Sequence, residues 1–117
     1  MKSESPARKK SFQFALNIIS LYKKLLLEKE FIISKQILRS GTSIGANLEE
    51  ALGGQSKRDF LAKISISLKE ARETHYWLRL LQESEITEID VSKLQSDALE
   101  LVNILSAIVK TTKANLK

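Results

Sequence analysis

Cysteine is absent from this chain of 117 residues, which has one histidine, one proline and four glycines. Without cysteine it forms no disulfide and no thiolate metal site, and one histidine cannot build a typical zinc site. We therefore expect no cofactor and no metal. Because residues that break helices are rare, we expect long helices. The chain also lacks an apolar signal-peptide core and any apolar run near the roughly 18 residues of a membrane span, so we expect it to be cytoplasmic and without membrane contact.

What the chain does contain is a sizeable apolar fraction, 43%, and a net charge of +5 that is spread unevenly. Residues 1–39 hold nine Lys or Arg and three Glu, whereas residues 83–100 hold six acids and one Lys. This pattern is compatible with ordinary solvated helix faces, or with a surface for nucleic acid or an acidic partner. If nucleic acid is bound, the predicted contacts lie on the first helix and just beyond it: Arg8, Lys9, Lys10, Lys23, Lys24, Lys29 and Lys35.

Apolar periodicity predicts four helices after a flexible basic tail at residues 1–8. They run from about 9 to 28, from about 33 to 52, from Ser56 to about Ser84, and from a start signal at Thr87 and Asp90 to about 112. Glycines 53 and 54 end the second helix, and Ser56 caps the third. The fold class is therefore all-α, with residues 9–117 forming one antiparallel up-and-down four-helix bundle.

The expected core positions follow from helical spacing. In the first helix they are Phe12, Leu16, Ile19 and Leu26, widened by Ile18, Leu21 and Leu25. In the second helix they are Ile33, Ile37, Ile44, Leu48 and Ala51. The third helix presents Phe60, Ile64, Leu68, Ala71, His75 and Leu78, and the fourth Val91, Leu94, Ala98, Leu101, Leu105 and Ile108.

The second helix carries a polar ladder opposite its core face, formed by Arg39, Ser43, Asn47 and Glu50. A neighbouring strip holds Gly41 and Gly45, whose small size allows another backbone to approach closely. The ladder has three interpretations: a solvated surface, a hydrogen-bonded structural seam, or a ligand site. We favour the seam, in which Arg39 pairs with Glu70 or Glu73 of the third helix and Asn47 bonds across helices.

The third helix has a second apolar strip, which includes Ile66, Tyr76, Trp77 and Leu80. A monomeric bundle needs one apolar face per helix, so this strip is a candidate oligomer interface, with Trp77 substantially buried. Alternatively, these rings cover the ends of a monomeric core. His75 is expected to be a buried neutral histidine, because no nucleophile or orienting carboxylate accompanies it. We find no phosphate-binding loop or catalytic pair, and we expect no enzymatic activity.

Two ungapped blocks carry a family resemblance. The first is Gln36-Ile37-Leu38-Arg39-Ser40-Gly41-Thr42-Ser43-Ile44-Gly45-Ala46-Asn47 with Glu50-Ala51, and the second includes Asp59-Phe60, Lys69-Glu70-Ala71, Glu73-Thr74 and Tyr76-Trp77-Leu78. Together they closely resemble a bacterial four-helix-bundle family whose members include proteins encoded in intervening sequences of 23S ribosomal RNA genes. The family is also similar to the accessory variability protein of diversity-generating retroelements.

The resemblance implies a bundle that assembles as a homo-oligomeric ring, typically a homopentamer. The resemblance also extends to the retroelement protein, which binds a reverse transcriptase and nucleic acid. This chain differs from that protein in its acidic stretch at residues 83–100. We therefore expect a non-enzymatic accessory protein associated with RNA or DNA. The alternative is an interaction scaffold that recruits a protein partner without touching nucleic acid.

Overall fold

The computed structural model describes residues 5–116, which form four α-helices and contain no strand. The helices are α1 (Pro6–Leu27), α2 (Ile33–Leu52), α3 (Lys57–Glu83) and α4 (Ser92–Ala114). The all-α fold predicted from the sequence is confirmed, and the bounds of α2 agree with the prediction residue for residue.

Each helix packs on two neighbours, so that α2 and α4 both lie between α1 and α3. The connections are short compared with the helices, which fit lengthwise into an envelope of 48 × 22 × 20 Å. Consecutive helices must therefore run in opposite directions. One end of the bundle consequently gathers the N-termini of α1 and α3 with the C-termini of α2 and α4.

The start of α1 differs from the prediction. The hydroxyl of Ser5 accepts a hydrogen bond from the Arg8 amide, and Pro6 occupies the first helical turn, where its missing N–H costs nothing. The helix therefore begins three residues before the predicted boundary at residue 9, and Ala7 is already buried. Residues 1–4 of the predicted tail lie outside the described residues.

The other helix starts are fixed by local side chains. Ser56 accepts from the Asp59 amide, as predicted for α3. At the start of α2 the Glu30 carboxylate accepts from the amides of three successive residues, the shortest bond being 2.6 Å to Ser34. The Glu28 carboxylate accepts from the Thr87 hydroxyl at 2.7 Å, which ties the first and third connections together at the end opposite Ser5.

The core of α1 lies on a different stripe from the predicted one. Its buried apolar residues are Ala7, Phe14, Ile18, Leu21 and Leu25. The predicted main stripe is wrong: Phe12, Leu16 and Ile19 are exposed, Phe12 by 65%, and Leu26 is only half-buried. Both stripes have the same helical spacing, and the contact with α2 decides between them. A Cβ added to Gly41 would lie 2.9 Å from the Ile18 side chain, so this glycine lets α1 approach with its Ile18 stripe facing inward.

The buried faces of the other helices agree better with the prediction. On α2 and α4 most predicted core residues are buried, with Ile33, Leu94 and Ile108 half-buried. On α3 the buried stripe is Ile64, Ser67, Ala71, Thr74, Leu78 and Leu81. The prediction that His75 is buried is wrong, since it is half-buried beside the fully buried Thr74.

Hydroxyl groups are buried where α2 meets α3. Ser67 donates to the Ile44 carbonyl at 2.7 Å, and the Thr74 hydroxyl lies 2.8 Å from that of Ser40. Ser40 donates in turn to the Gln36 carbonyl. Across residues 5–116 every buried side-chain nitrogen or oxygen has a hydrogen-bond partner. These hydroxyls therefore fix the register of α2 against α3 without leaving a buried polar group unsatisfied.

Candidate nucleic-acid and protein interfaces

Arg39 is the centre of a charged cluster between α2 and α3. Its guanidinium donates to Glu70 at 3.2 Å and to Glu73 on the next turn of α3. The ion pair predicted from the sequence is therefore present. The Arg39 side chain is 47% exposed, whereas that of Glu70 is 14% exposed, so the cluster lies at the edge of the interface and not inside the core.

The remaining residues of the polar ladder split between two roles. Ser43 donates to the Arg39 carbonyl at 2.6 Å, and the Asn47 amide donates to the Ser43 carbonyl at 2.9 Å. The prediction that Asn47 bonds across helices is therefore wrong, because both bonds stay within α2. Glu50 does reach α3, where Lys63 donates to it at 2.9 Å. That hydrogen bond, with the charge of Glu50, raises the pKa of Lys63.

Trp77 joins the charged cluster through its ring nitrogen, which donates to Glu73 at 2.9 Å. The indole is half-buried against the core and lies edge-on to Tyr76, with ring centroids 5.4 Å apart. Glu73 thus connects Arg39 to Trp77, so the indole is positioned by contacts within its own helical bundle.

Two separate apolar surfaces remain exposed, one on α3 and one between α1 and α2. The first, here called the α3 strip, consists of Ile66, Tyr76 and Leu80, which are three of the four predicted interface residues. The second is a groove between α1 and α2, here called the α1–α2 groove, of about 330 Å³. Its apolar walls include the α1 stripe that was predicted to lie in the core, together with small residues of α1 and α2: Phe12, Ala15, Leu16, Ile19, Thr42, Gly45 and Ala46. Arg8, Ser11 and Glu49 complete the lining.

The seven basic residues predicted to contact nucleic acid do not share one surface. Arg8, Lys9 and Lys10 lie at the start of α1, and two of them are paired, Arg8 with Glu49 and Lys10 with Glu100. The other four predicted residues are Lys23, Lys24, Lys29 and Lys35. They lie at the opposite end of the bundle, where the capping carboxylates Glu28 and Glu30 and the acidic third connection are also found.

Net positive charge is instead concentrated at the end that contains the N-termini of α1 and α3, here called the basic end. Its segments, residues 5–12, 49–63 and 108–116, hold eight Lys or Arg and only three Asp or Glu. The segments of the opposite end, residues 23–36 and 79–95, hold six of each. Five cations of the basic end were not among the predicted contacts. Lys63 is one of them and pairs with Glu50, and the other four are Lys57, Arg58, Lys110 and Lys113. All four are exposed, and no ion pair joins any of them to another described residue.

Within residues 5–116 no group of three or more histidine, cysteine, aspartate or glutamate side chains could hold a metal ion. In the same part of the chain, no helix combines the length and apolarity that crossing a membrane requires. The arrangement that the described residues do offer is a pair of apolar surfaces and a cluster of exposed cations.

The fold defines a four-helix protein with two exposed apolar surfaces and one basic end. Comparison with known proteins places it more narrowly: residues 4–107 match the family of 23S rRNA-intervening sequence proteins, and the chain belongs to that family. The resemblance predicted from the sequence is thereby confirmed. No match is found among the curated proteins.

A solved structure supports the same assignment. The chain is 50% identical to a protein of unknown function from the S23 ribosomal protein family of Bacteroides thetaiotaomicron, whose crystal structure was determined at 1.70 Å resolution. The match covers 89% of this chain and 98% of that chain, with a TM-score of 0.84. The shared fold therefore includes nearly the whole bundle.

Proposed function

We propose that this protein is a non-enzymatic accessory protein that assembles with itself and associates with RNA or DNA through its basic end. The observation that carries the proposal is the segregation of charge along the bundle. A surface with eight cations and three carboxylates attracts a polyanion, and the other end, with equal numbers of both signs, does not.

The kind of contact follows from the side chains at the basic end. Lysine and arginine there stand on exposed helix termini, and Phe12, the exposed aromatic residue of these segments, lines the α1–α2 groove. Such cations contact phosphates and carry little sequence information. We therefore expect binding that depends strongly on salt and weakly on sequence.

Self-assembly is supported by the two apolar surfaces. A closed ring needs two different surfaces that fit each other on each copy, whereas a twofold dimer needs only one. The α3 strip carries exposed side chains of one helix and the α1–α2 groove is a hollow between two, so one copy can present its strip to the groove of the next. The family resemblance suggests five copies, and a ring of parallel bundles would place all the basic ends on one rim, where weak sites act together.

The test compares two variants that lose the same charge. In the first, Lys57, Arg58, Lys110 and Lys113 are replaced by Gln, and in the second, Lys23, Lys24, Lys29 and Lys35 are. Fluorescence anisotropy with labelled RNA and DNA, at salt between about 50 mM and about 200 mM, measures affinity and its salt dependence. We expect only the first variant to bind weakly, with a salt slope lower by about 0.9 for each lost phosphate contact.

Equal losses in both variants would show that net charge, and not the basic end, determines the affinity. If the unmodified protein binds neither RNA nor DNA in about 50 mM salt, the proposal of nucleic-acid association fails. The second candidate function is a protein-interaction scaffold, which the two exposed apolar surfaces favour.

A further inference from the structure

A hollow of about 490 Å³ opens at the basic end, between the connection from α2 to α3 and the last turn of α4. Its volume falls within the range of about 300–1,000 Å³ found for small-ligand sites. The residues that line it come from α2, α3 and α4, from the connection between α2 and α3, and from the residue after α4: Ala51, Leu52, Gly54, Gln55, Ser56, Lys57, Phe60, Thr112 and Asn115.

The lining combines an aromatic wall with amide groups. Phe60 is half-buried and lines the hollow together with the half-exposed Leu52. The hydroxyl of Ser56 already caps α3, and that of Thr112 donates to the Ile108 carbonyl. By contrast, the side-chain amides of Gln55 and Asn115 form no hydrogen bond with any other described residue, so each offers a donor and an acceptor to a ligand.

Lys57 is the charged side chain among the residues that line the hollow, and further cations lie nearby in the chain. Lys113 follows Thr112 of the lining on α4, and Arg58 follows Lys57 on α3. No carboxylate is among the lining residues. Glu50 and Asp59 border an adjoining depression that shares Gly54 and Gln55 with the hollow, and the Asp59 carboxylate lies close to Gly54. An apolar ring, free amides and surrounding cations are the groups that receive a base, its polar edge and its phosphates.

We propose that the hollow takes one unpaired nucleotide of a bound RNA or DNA strand, with its base against Phe60, its polar edge at Gln55 and Asn115, and its phosphates at Lys57 and Lys113. This inference rests on the proposed function and adds to it a preference for single strands. In a duplex the bases are stacked and paired, so a duplex reaches only the cations around the hollow.

The experiment compares one oligonucleotide as a single strand and as a blunt duplex, using the full chain and three variants. Phe60→Leu keeps an apolar side chain but removes the aromatic face, and Gln55→Ala changes an exposed residue of the connection. Phe31→Leu, at the opposite end, is the matched control for loss of a partly exposed ring. Affinity is measured by anisotropy, and thermal unfolding establishes that each variant is folded.

We expect Phe60→Leu to weaken single-strand binding by about fivefold or more and to leave duplex binding unchanged. Gln55→Ala should weaken it less but in the same direction, and Phe31→Leu should have no effect. A strand with bromouracil should form a photocrosslink at Phe60 or a neighbouring lining residue, located by mass spectrometry of the peptides.

The hollow is excluded as a base site if both strand forms bind equally well to the unmodified protein, or if Phe60→Leu and Gln55→Ala leave the single-strand affinity unchanged. The proposed function survives that outcome as long as replacing the four exposed cations still weakens binding. If neither strand form binds the unmodified protein in about 50 mM salt, the proposed function fails together with the hollow.

Discussion

At the scale of single residues, the two interior glycines of α2 have different reasons to be glycine. A Cβ on Gly41 would lie 2.9 and 3.0 Å from two carbon atoms of Ile18, a branched side chain held in the core. A Cβ on Gly45 would lie 3.3 Å from the hydroxyl oxygen of Ser11, at the edge of the α1–α2 groove. Of the two, only Gly41 lacks the space for a Cβ atom.

The two glycines therefore give opposite predictions. Gly41→Ala gains about 1 kcal/mol of helix propensity but pushes on Ile18, so we expect a net loss of about 1–2 kcal/mol of unfolding free energy. Gly45→Ala meets Ser11 at 3.3 Å or more, a contact that a small shift of α1 relieves, and it should be neutral or stabilising by up to about 1 kcal/mol. Denaturant titration of both variants measures the difference. Equal effects would show that the distances to α1 do not determine which substitution is tolerated.

Glu73 is the residue that links two neighbours, since it accepts from both Arg39 and the Trp77 indole. We expect a double-mutant cycle of Arg39→Met and Glu73→Gln to give a coupling of about 0.5–1 kcal/mol, because Arg39 is nearly half exposed and water screens the pair. Tryptophan fluorescence during unfolding measures stability and reports directly on Trp77. A coupling of zero would mean that the ion pair contributes nothing to the interface of α2 and α3.

At the scale of helices, a carboxylate binds the first amide of α4. The amide of Ser92 donates to Asp90 at 2.9 Å, and hydrogen bonds from Ser92 hold the pKa of Asp90 below its ordinary value of 3.8. A carboxyl with a lowered pKa stabilises the fold at pH values above its unfolded pKa, and this contribution disappears as the pH falls through the folded pKa.

We therefore expect the first turn of α4 to loosen below pH 3.8, the unfolded reference value. The Ser92 amide signal in nuclear magnetic resonance, followed from about pH 5 to about pH 2, measures this change. Asp90→Asn keeps an acceptor oxygen but cannot be protonated in that range, so its Ser92 signal should lose the dependence. Glu88→Gln is the control on an exposed neighbour. If the Ser92 amide signal of Asp90→Asn keeps the same pH dependence, a group other than Asp90 causes it.

Helix positions were predictable because their signals are local. Ser56, Gly53 and the apolar spacing of α2 act within a few residues, and the structure places those ends as predicted. The inward face of α1 was not predictable in the same way. Phe12, Leu16 and Ile19 repeat with the same spacing as Phe14, Ile18 and Leu21, so the choice depends on the glycines of another helix.

The candidate site was harder still to predict, because its parts are far apart in the chain. Lys57, Arg58, Lys110 and Lys113 belong to two helices and become neighbours of Lys9 only when the four helices alternate in direction. The charge distribution along the chain favours the first helix, because it carries no information on which helix ends meet. The pairing of Arg39 with the third helix was predictable, since the faces of two adjacent helices limit its partners.

At the scale of the whole molecule, the proposed ring makes a prediction about mixtures. Leu16→Glu alters the α1–α2 groove, and Tyr76→Glu alters the α3 strip, both at exposed positions. We expect each variant alone to be a monomer of 13.2 kDa, because each retains only one of the two required surfaces. Mixed together, they should form a one-to-one pair through the remaining groove and strip, and native mass spectrometry measures it.

Ser20→Ala, on an exposed position of α1, is the control that should assemble like the unmodified protein. A mixture that stays monomeric would argue against groove-to-strip assembly. If the unmodified protein is a monomer at micromolar concentration, the proposed ring does not form.

The unequal charge of the two ends has a further physical consequence. Positive charge displaced toward one tip of a body 48 Å long gives each protomer a permanent electric dipole along its axis. In a twofold pair of antiparallel protomers these dipoles cancel, whereas in a ring of parallel protomers they add. Such a ring would turn its positive rim toward an approaching polyanion before any side chain touches it, and the encounter rate would increase as the ionic strength is lowered.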